Sequence, residues 1–413
     1  MASSTTAPRT RSAPRGSEEP PAGGYAGPLD GVLVLDMTEG AQGPWAGALL
    51  ADLGARVIKV ERPGGELMRH AGPYKAGQAL PNLGVNHGKE NLGLDLHTDE
   101  DRAILLALAA RADIFMQSWR PGVAARLGLD FPTLQKLNSN LIYASATGFG
   151  EDGAYAGKPC VDHIAQAMGG YFHTTGSADG PPEAPRFIVI DFTSPLTFCL
   201  GILLALLARH RFGSSQSVQC SQWATTVALG AVPFTEYALT RTVHAPMGSA
   251  CSYLVPSQAF RCADAFLVME CPTEPTWQGA CQALGLEDLA ADPRFAINEL
   301  RVQNRAELVD LLSARFRALR ARRWVARLRA AGVPCAEINW DIEDLYEDPD
   351  VVANSLIVQR HHETAGAVRT NAEPWWLSGG RVSYGHLARE RDADRESLLA
   401  EFAISPGADG SSR

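Results

Sequence analysis

The eight cysteines of this chain form no CxxC pair and no His/Cys cluster at metal-ligand spacing. That absence predicts free thiols in a reducing cytosol, with no metal centre. After the first predicted strand there is no GxGxxG, so the dinucleotide fingerprint is missing. Positive charge is scarce: 37 Lys and Arg stand against 46 Asp and Glu, a net charge of -9. The balance argues against a nucleic-acid partner, and an anionic ligand must be met by a local basic site. The longest apolar run, Leu196 to Ala208, is shorter than a membrane span and reads as a core helix, so no membrane partner is expected. Residues 1–28 are rich in Ser, Thr, Pro, Arg and Gly but lack the apolar stretch of a secretory signal, which predicts a disordered tail.

With 413 residues, 46% of them apolar, the chain can bury a large core and is expected to form two domains. VLVLDM reads as a strand, TEGAQGPWAGALLADLG turns through glycines into a helix, and RVIKVERPGG is a second strand. Such a β–α–β unit favours a parallel sheet with right-handed crossovers. NLGLDL, DIFMQSW and LIYASATGFG add strands, and TDEDRAILLALAARA is a helix with an acidic first turn. From about Tyr237 the pattern loosens. CADAFLVMEC then reads as a strand pair, three helical segments follow, and VPCAEIN returns as a strand. The predicted fold class is α/β: a large Rossmann-like parallel-sheet domain over 29–236, a smaller α+β domain over 237–335, and a segment, 336–413, returning to the first.

The stretch from Arg186 to Arg211, RFIVIDFTSPLTFCLGILLALLARHR, is the most informative. A β-branched run, Phe187 to Ile190, presents one carboxylate, Asp191. Thr193, Ser194 and Pro195 supply helix-start chemistry, and an apolar helix follows. A carboxylate at a strand exit is where α/β proteins place reactive groups. The plainer alternative is that Asp191 only caps the helix.

These segments, taken in order, resemble the class III CoA-transferases, the formyl-CoA transferase and crotonobetainyl-CoA:carnitine CoA-transferase type. The matching text is GPLDGVLVLDMTEGAQGPWAGALLADLGARVIKVERPG, WRPGVAARLGL, LIYASATGFGEDGAY, VDHIAQAMGG, the Asp191 helix, DPRFAINELRVQNRAEL and AAGVPCAEI. The resemblance implies an interlocked homodimer, acyl-CoA and a small carboxylic acid as substrates, coenzyme A esters in place of any permanently bound cofactor, and Asp191 as nucleophile. Asp191 would attack the donor acyl-CoA to form an aspartyl anhydride, which CoA thiolate converts to an aspartyl-CoA thioester; the acceptor acid reverses these steps. One departure is Ile190, where the family commonly has glycine. Asp191 must be ionised, and backbone amides after it and at Gly148, Gly150, Gly169 and Gly170 are the expected donors.

By the same resemblance, Arg62 and Arg126 match positions that contact the CoA nucleotide, a role suited to the planar guanidinium fork. Lys59, Lys89 and Lys158 are weaker phosphate candidates, Lys89 being followed by Glu90 where the family often has Arg. Gly40, Ala41 and Gln42 are expected to present backbone to CoA, with Glu39 at the position of a histidine in the formyl branch. Trp119 could stack on adenine or belong to the core. Asp162 and Glu274 are possible supporting acids, while His163, adjacent to Asp162 on a helix, is expected to point elsewhere as a structural residue. A 2-methylacyl-CoA racemase-type isomerase shares the fold, but Val161 stands where racemases carry a histidine. A non-catalytic CoA-binding protein is the remaining alternative, disfavoured by the intact Asp191 segment.

Overall fold

The computed structural model describes residues 27–185, 187–377 and 385–404, so the expected tail lies outside them apart from Gly27 and Pro28. Among the described residues two compact units emerge, one from residues 27–165, 187–230, 346–377 and 385–404, the other from 166–185 and 231–345.

In the first unit, β1 (Leu33–Met37), β2 (Arg56–Glu61), β3 (Glu90–Gly93), β4 (Ile114–Gln117), β5 (Ile142–Thr147) and β6 (Ser217–Ser221) form a six-stranded sheet. The order is β3-β2-β1-β4-β5-β6 and every pairing is parallel. Strand order reverses between β1 and β4, and open α/β sheets bind ligands at that reversal, outside the carboxyl ends of the strands. Successive strand residues face opposite sides, which generates two cores. Val34, Val57, Ile114 and Ile142 pack beneath Leu49 of α1 (Gln42–Asp52), while Leu35, Ile58 and Phe115 pack beneath Leu105 and Leu108 of α2 (Asp99–Ala109). Each fully buried Leu or Ile contributes about 1.5–3 kcal/mol. Helix α1 lies close to the sheet because Gly47 has no side chain: a Cβ there would stand 2.7 Å from Asp36 Oδ2.

Three helices frame the part that matters for function: α3 (Asp162–Met168), α4 (Val189–Phe212) and α5 (Gln222–Leu229). Here the structure corrects the sequence reading. Residues 187–190 are not a strand, because α4 already begins at Val189 and Asp191 sits in its first turn. The β-branched run is overridden by a distant partner: Asp162 Oδ1 accepts the amide protons of Ile190 at 2.8 Å and Asp191 at 3.1 Å, capping a helix whose own Ile188 offers no side-chain cap. Pro195, expected at the helix start, lies inside α4 and has no N–H to give the Asp191 carbonyl. Phe198, Cys199, Ile202 and Ala205 bury one face of α4 on the sheet.

The second unit holds an antiparallel sheet of β7 (Ser257–Arg261), β8 (Phe266–Glu270) and β9 (Cys335–Glu337), ordered β9-β8-β7. Trp277 of α6 (Glu274–Leu284), Leu308 and Phe316 of α7 (Arg305–Phe316) and Trp324 of α8 (Ala321–Ala330) close its core over Phe260 and Leu267. The chain then rejoins the first unit with a hairpin of β10 (Ile357–His362) and β11 (Gly366–Asn371).

Candidate active site

Asp191 is partly buried at the positive end of α4, where the helix macrodipole favours an anion. Its Oδ1 accepts a hydrogen bond of 2.5 Å from Gln222 Nε2. Gln222 was not singled out from the sequence. It opens α5 directly after β6, and only the fold brings it to Asp191. Three of the backbone donors expected around the nucleophile are engaged elsewhere: the Phe192 amide on the Ile188 carbonyl, that of Gly150 on Thr147 Oγ1, and that of Gly170 on the Ala167 carbonyl. Burial, then the neighbouring Asp162 charge, push Asp191 up to about 6, against the lowering effects of Gln222 and His163. An acid of that strength is roughly nine-tenths ionised at pH 7. Cys160 cannot compete as an anion, since burial and then the charges of Asp191 and Asp162 push its thiol up to about 11. Trp45 meets Phe192 edge-to-face at 5.1 Å and ties the start of α4 to α1.

His163 departs from expectation. Its ring is exposed, yet Nδ1 lies 3.5 Å from Asp162 Oδ2 rather than pointing away. At the open first turn of α3 the two adjacent side chains fold toward each other.

At the reversal between β1 and β4, the Glu39 amide donates to Ser118 Oγ at 2.8 Å and joins the two strand exits. Gly40 turns there with φ of +86°, a conformation costly for any residue with a Cβ, and its N–H reaches Glu66 Oε2 at 3.3 Å. Ala41 opens α1 without a side-chain cap, and the buried Gln42 amide donates to Cys220 Sγ at 3.7 Å. Arg62, past the end of β2, is exposed; its Nε donates to the Gly65 carbonyl at 2.9 Å and lies 3.2 Å from Glu39 Oε1. Arg126 is exposed on a one-turn helix, Val123–Leu127, and forms no ion pair among the described residues. Trp119 is half-buried, its ring 6.3 Å from Phe115, so part of it belongs to the core. Lys158 is exposed, its ammonium 5.0 Å above the Tyr155 ring.

Lys89 and Lys59 leave the phosphate set. Lys89 is 1% exposed and its three protons go to Asp36 Oδ2 at 2.7 Å, the Pro44 carbonyl at 2.6 Å and Asn86 Oδ1 at 2.8 Å. Burial pulls Lys89 down to about 8, with Asp36 opposing the shift. Lys59 is equally buried, donating to the Thr38 carbonyl and lying 3.6 Å from Asp36 Oδ1. Burial raises Asp36, but the two ammonium charges outweigh it and hold the carboxyl below its usual range. These lysines neutralise a carboxylate beneath α1 and do not face solvent. Glu274 is likewise occupied, both oxygens taking Arg301 N–H groups at 2.8 Å within the second unit.

Among the described residues, one group of His, Asp and Glu could converge on a metal ion: Asp52, His87 and Glu373, all buried. His87 Nδ1 lies 2.6 Å from the Gly84 carbonyl and Nε2 lies 2.6 Å from Asp52 Oδ2, while Arg360 approaches the same Asp52 oxygen at 3.4 Å. Two tetrahedral ligands about 2.0–2.1 Å from one zinc stand farther apart than that, and Arg360 already supplies a cation. Burial, then the neighbouring Asp52 carboxyl group, push Glu373 up to about 9, so it keeps its proton at neutral pH. The cluster suits shared protons better than an ion. A cleft of about 140 Å³, lined in part by His361, His362 and His386, contains none of the expected site residues.

Comparison with known proteins agrees with the parallel-sheet fold. The model of CoA-transferase family III matches residues 29–388. An acetyl-CoA:oxalate CoA-transferase of Acetobacter aceti is 35% identical over 355 residues, 86% of this chain and 90% of its own length. A succinyl-CoA:glutarate CoA-transferase of Mus musculus is 34% identical over 343 residues, 83% of this chain and 78% of its own length. Among solved structures, a CaiB/BaiF family protein of Brucella suis superposes with a TM-score of 0.80 at 30% identity, covering 92% of this chain and all of its own. The chain therefore belongs to CoA-transferase family III, and the enzyme is a CoA-transferase.

Proposed function

We propose that the enzyme moves CoA between carboxylic acids with Asp191 as the covalent nucleophile, through an aspartyl anhydride and an aspartyl-CoA thioester. The observation that supports this most is the state of Asp191: a carboxylate in the first turn of a helix, held at Oδ1 by Gln222, with Oδ2 accepting no hydrogen bond among the described residues. A held anion with one unengaged oxygen is the form a carboxylate nucleophile needs. The exchange consumes no ATP, because one thioester replaces another of similar free energy, and it calls for neither a metal nor a bound cofactor. For CoA we propose Arg62, Arg126 and Lys158 on the phosphates, the backbone of Gly40, Ala41 and Gln42 along the chain, and Trp119 against the adenine.

The relatives named for oxalate and glutarate make dicarboxylates the first acceptors to try. We further propose a cytoplasmic, interlocked homodimer. Helix α4 is long and apolar enough to cross a membrane by length and composition alone. One face is nevertheless buried on the sheet, and exposed Leu200, Leu204 and Leu207 make an apolar stripe that a second copy would cover. The functional test is a panel of acyl-CoA donors against carboxylic acids, read by mass spectrometry. Appearance of the acceptor's CoA ester supports the reading; no transfer from any donor to any acid contradicts it.

The proximity of His163 to Asp162 favours a second reading, a 2-methylacyl-CoA racemase-type isomerase, because two-faced proton transfer needs two groups of suitable pKa. Deuterium uptake from D2O at the α-carbon, lost in both Asp191→Ala and His163→Ala and unaccompanied by CoA transfer, would establish it.

A further inference from the structure

Gln222 is fixed more firmly than a chance neighbour of Asp191 would be. The side chain of the preceding residue, Ser221, caps α5 by accepting the Ala224 amide at 3.0 Å, and the Gln222 carbonyl accepts Thr226 Oγ1 at 2.8 Å. The Gln222 side chain is 7% exposed, and its Oε1 is buried with no hydrogen-bond partner among the described residues. Burying an amide acceptor unpaired is unfavourable, so the side chain is held for what its N–H does. That N–H meets Asp191 Oδ1.

We propose that Gln222 is the oxyanion donor for the steps in which the Asp191 carbonyl carbon is attacked. The inference rests on Asp191 as nucleophile. In the first step, Oδ2 attacks the donor's acyl carbon, the C–S bond breaks, and CoA leaves as thiolate with the electron pair. Oδ1 remains as the aspartyl carbonyl of the anhydride. The thiolate then attacks the aspartyl carbon, and the carbonyl electrons move onto Oδ1. When that intermediate collapses, the bond to Oδ2 breaks, the donor acid departs carrying that oxygen, and the aspartyl-CoA thioester is left. Attack by the acceptor carboxylate repeats the charge build-up on Oδ1 and expels the thiolate. In both steps negative charge appears on the atom Gln222 already touches, which is the arrangement of a preorganised oxyanion donor. A neutral amide suits this role better than Lys or Arg would. A full cation beside Asp191 would stabilise the resting carboxylate strongly and blunt its attack, whereas an amide gains most when charge concentrates on one oxygen.

The test compares wild type with Gln222→Met, which keeps the length and removes the donor. Incubation with donor acyl-CoA alone, followed by intact-protein mass spectrometry, reads aspartyl-CoA formation; steady-state kinetics and thermal melts run alongside. Removing an oxyanion donor typically costs about 10²–10³-fold in kcat. The expected result is a fall of that size in kcat and in the rate of CoA-adduct formation, with KM for the donor within about threefold and the melting temperature unchanged. The acid limb of kcat should also move to higher pH, because Asp191, which faces Asp162, His163 and Cys160, loses a hydrogen bond that lowers its pKa. A kcat within threefold of wild type, an effect confined to KM, or a fall in kcat with the acid limb unmoved would overturn the assignment. If wild type itself forms no CoA adduct, the failure lies with Asp191 as nucleophile, a separate outcome from the loss of Gln222's role.

Discussion

Asp162 offers the sharpest separation of structural from electrostatic effects. It is 2% exposed, and its Oδ1 receives two amide protons from the first turn of α4, at 2.8 and 3.1 Å. Removing an N-terminal cap costs about 0.5–2 kcal/mol, and hydrogen bonds to a charged group about 1.5–3 kcal/mol. Asp162→Ala should therefore lose about 2–3 kcal/mol. At roughly 2–4 °C per kcal/mol for a large domain, that is a drop of about 4–12 °C in melting temperature. Asp162→Asn keeps an acceptor in place and should lose less than half as much. Its charge is gone, however, and that charge is one of the causes raising Asp191. In the Asn variant the acid limb of kcat/KM should accordingly move to lower pH. Differential scanning fluorimetry and a pH–rate profile read the two effects independently. If Asp162→Ala melts within 1 °C of wild type, or if the acid limb of Asp162→Asn stays put or rises, the reasoning from these two hydrogen bonds is wrong.

Other consequences can be checked alongside. Charge reversal at Arg62 or Arg126 should raise KM for CoA esters about tenfold or more and leave KM for the free acid unchanged, since each charge-assisted phosphate contact contributes about 1.5–3 kcal/mol; unaltered KM in both would place the phosphates elsewhere. Lys89→Met leaves Asp36 buried with Lys59 as its remaining cation, and breaking a buried pair costs about 3–5 kcal/mol, measurable by urea unfolding; a loss below 1 kcal/mol would contradict the assignment. Burial holds Glu373 at about 9 in the folded protein against 4.5 for a glutamate in water, so its contribution to stability is present below the lower value and is lost as pH rises through the upper one. Glu373→Gln, which cannot titrate, should flatten the fall in melting temperature across that window; an identical slope in both proteins would remove Glu373 from the cluster's proton balance.

Much of the first unit was readable from local pattern. The short aliphatic runs in Leu33–Met37 and Arg56–Glu61, the glycine turn at Gly40 and the apolar α1 specify a β–α–β unit with little help from the rest of the chain. The start of α4 was not readable. Ile188, Val189 and Ile190 have strand-like side chains, and the carboxylate that turns them into a helix comes from Asp162, 28 residues earlier. Lys89 was misjudged for a related reason. A lysine before a strand resembles a surface charge unless one knows that Gly47 brings α1 close enough to bury it against Asp36. Gln222 carried no signal at all, because a glutamine at a helix start is ordinary until a carboxylate from another element meets it.

The most direct measurement is covalent capture at Asp191. The enzyme is incubated with a donor acyl-CoA, with and without hydroxylamine, digested and analysed by mass spectrometry. The expected result is a CoA adduct on the peptide containing Asp191, replaced by a hydroxamate at that residue when hydroxylamine is present, and complete loss of transfer in Asp191→Ala. A label on any other residue, or full activity in Asp191→Ala, would contradict the central claim.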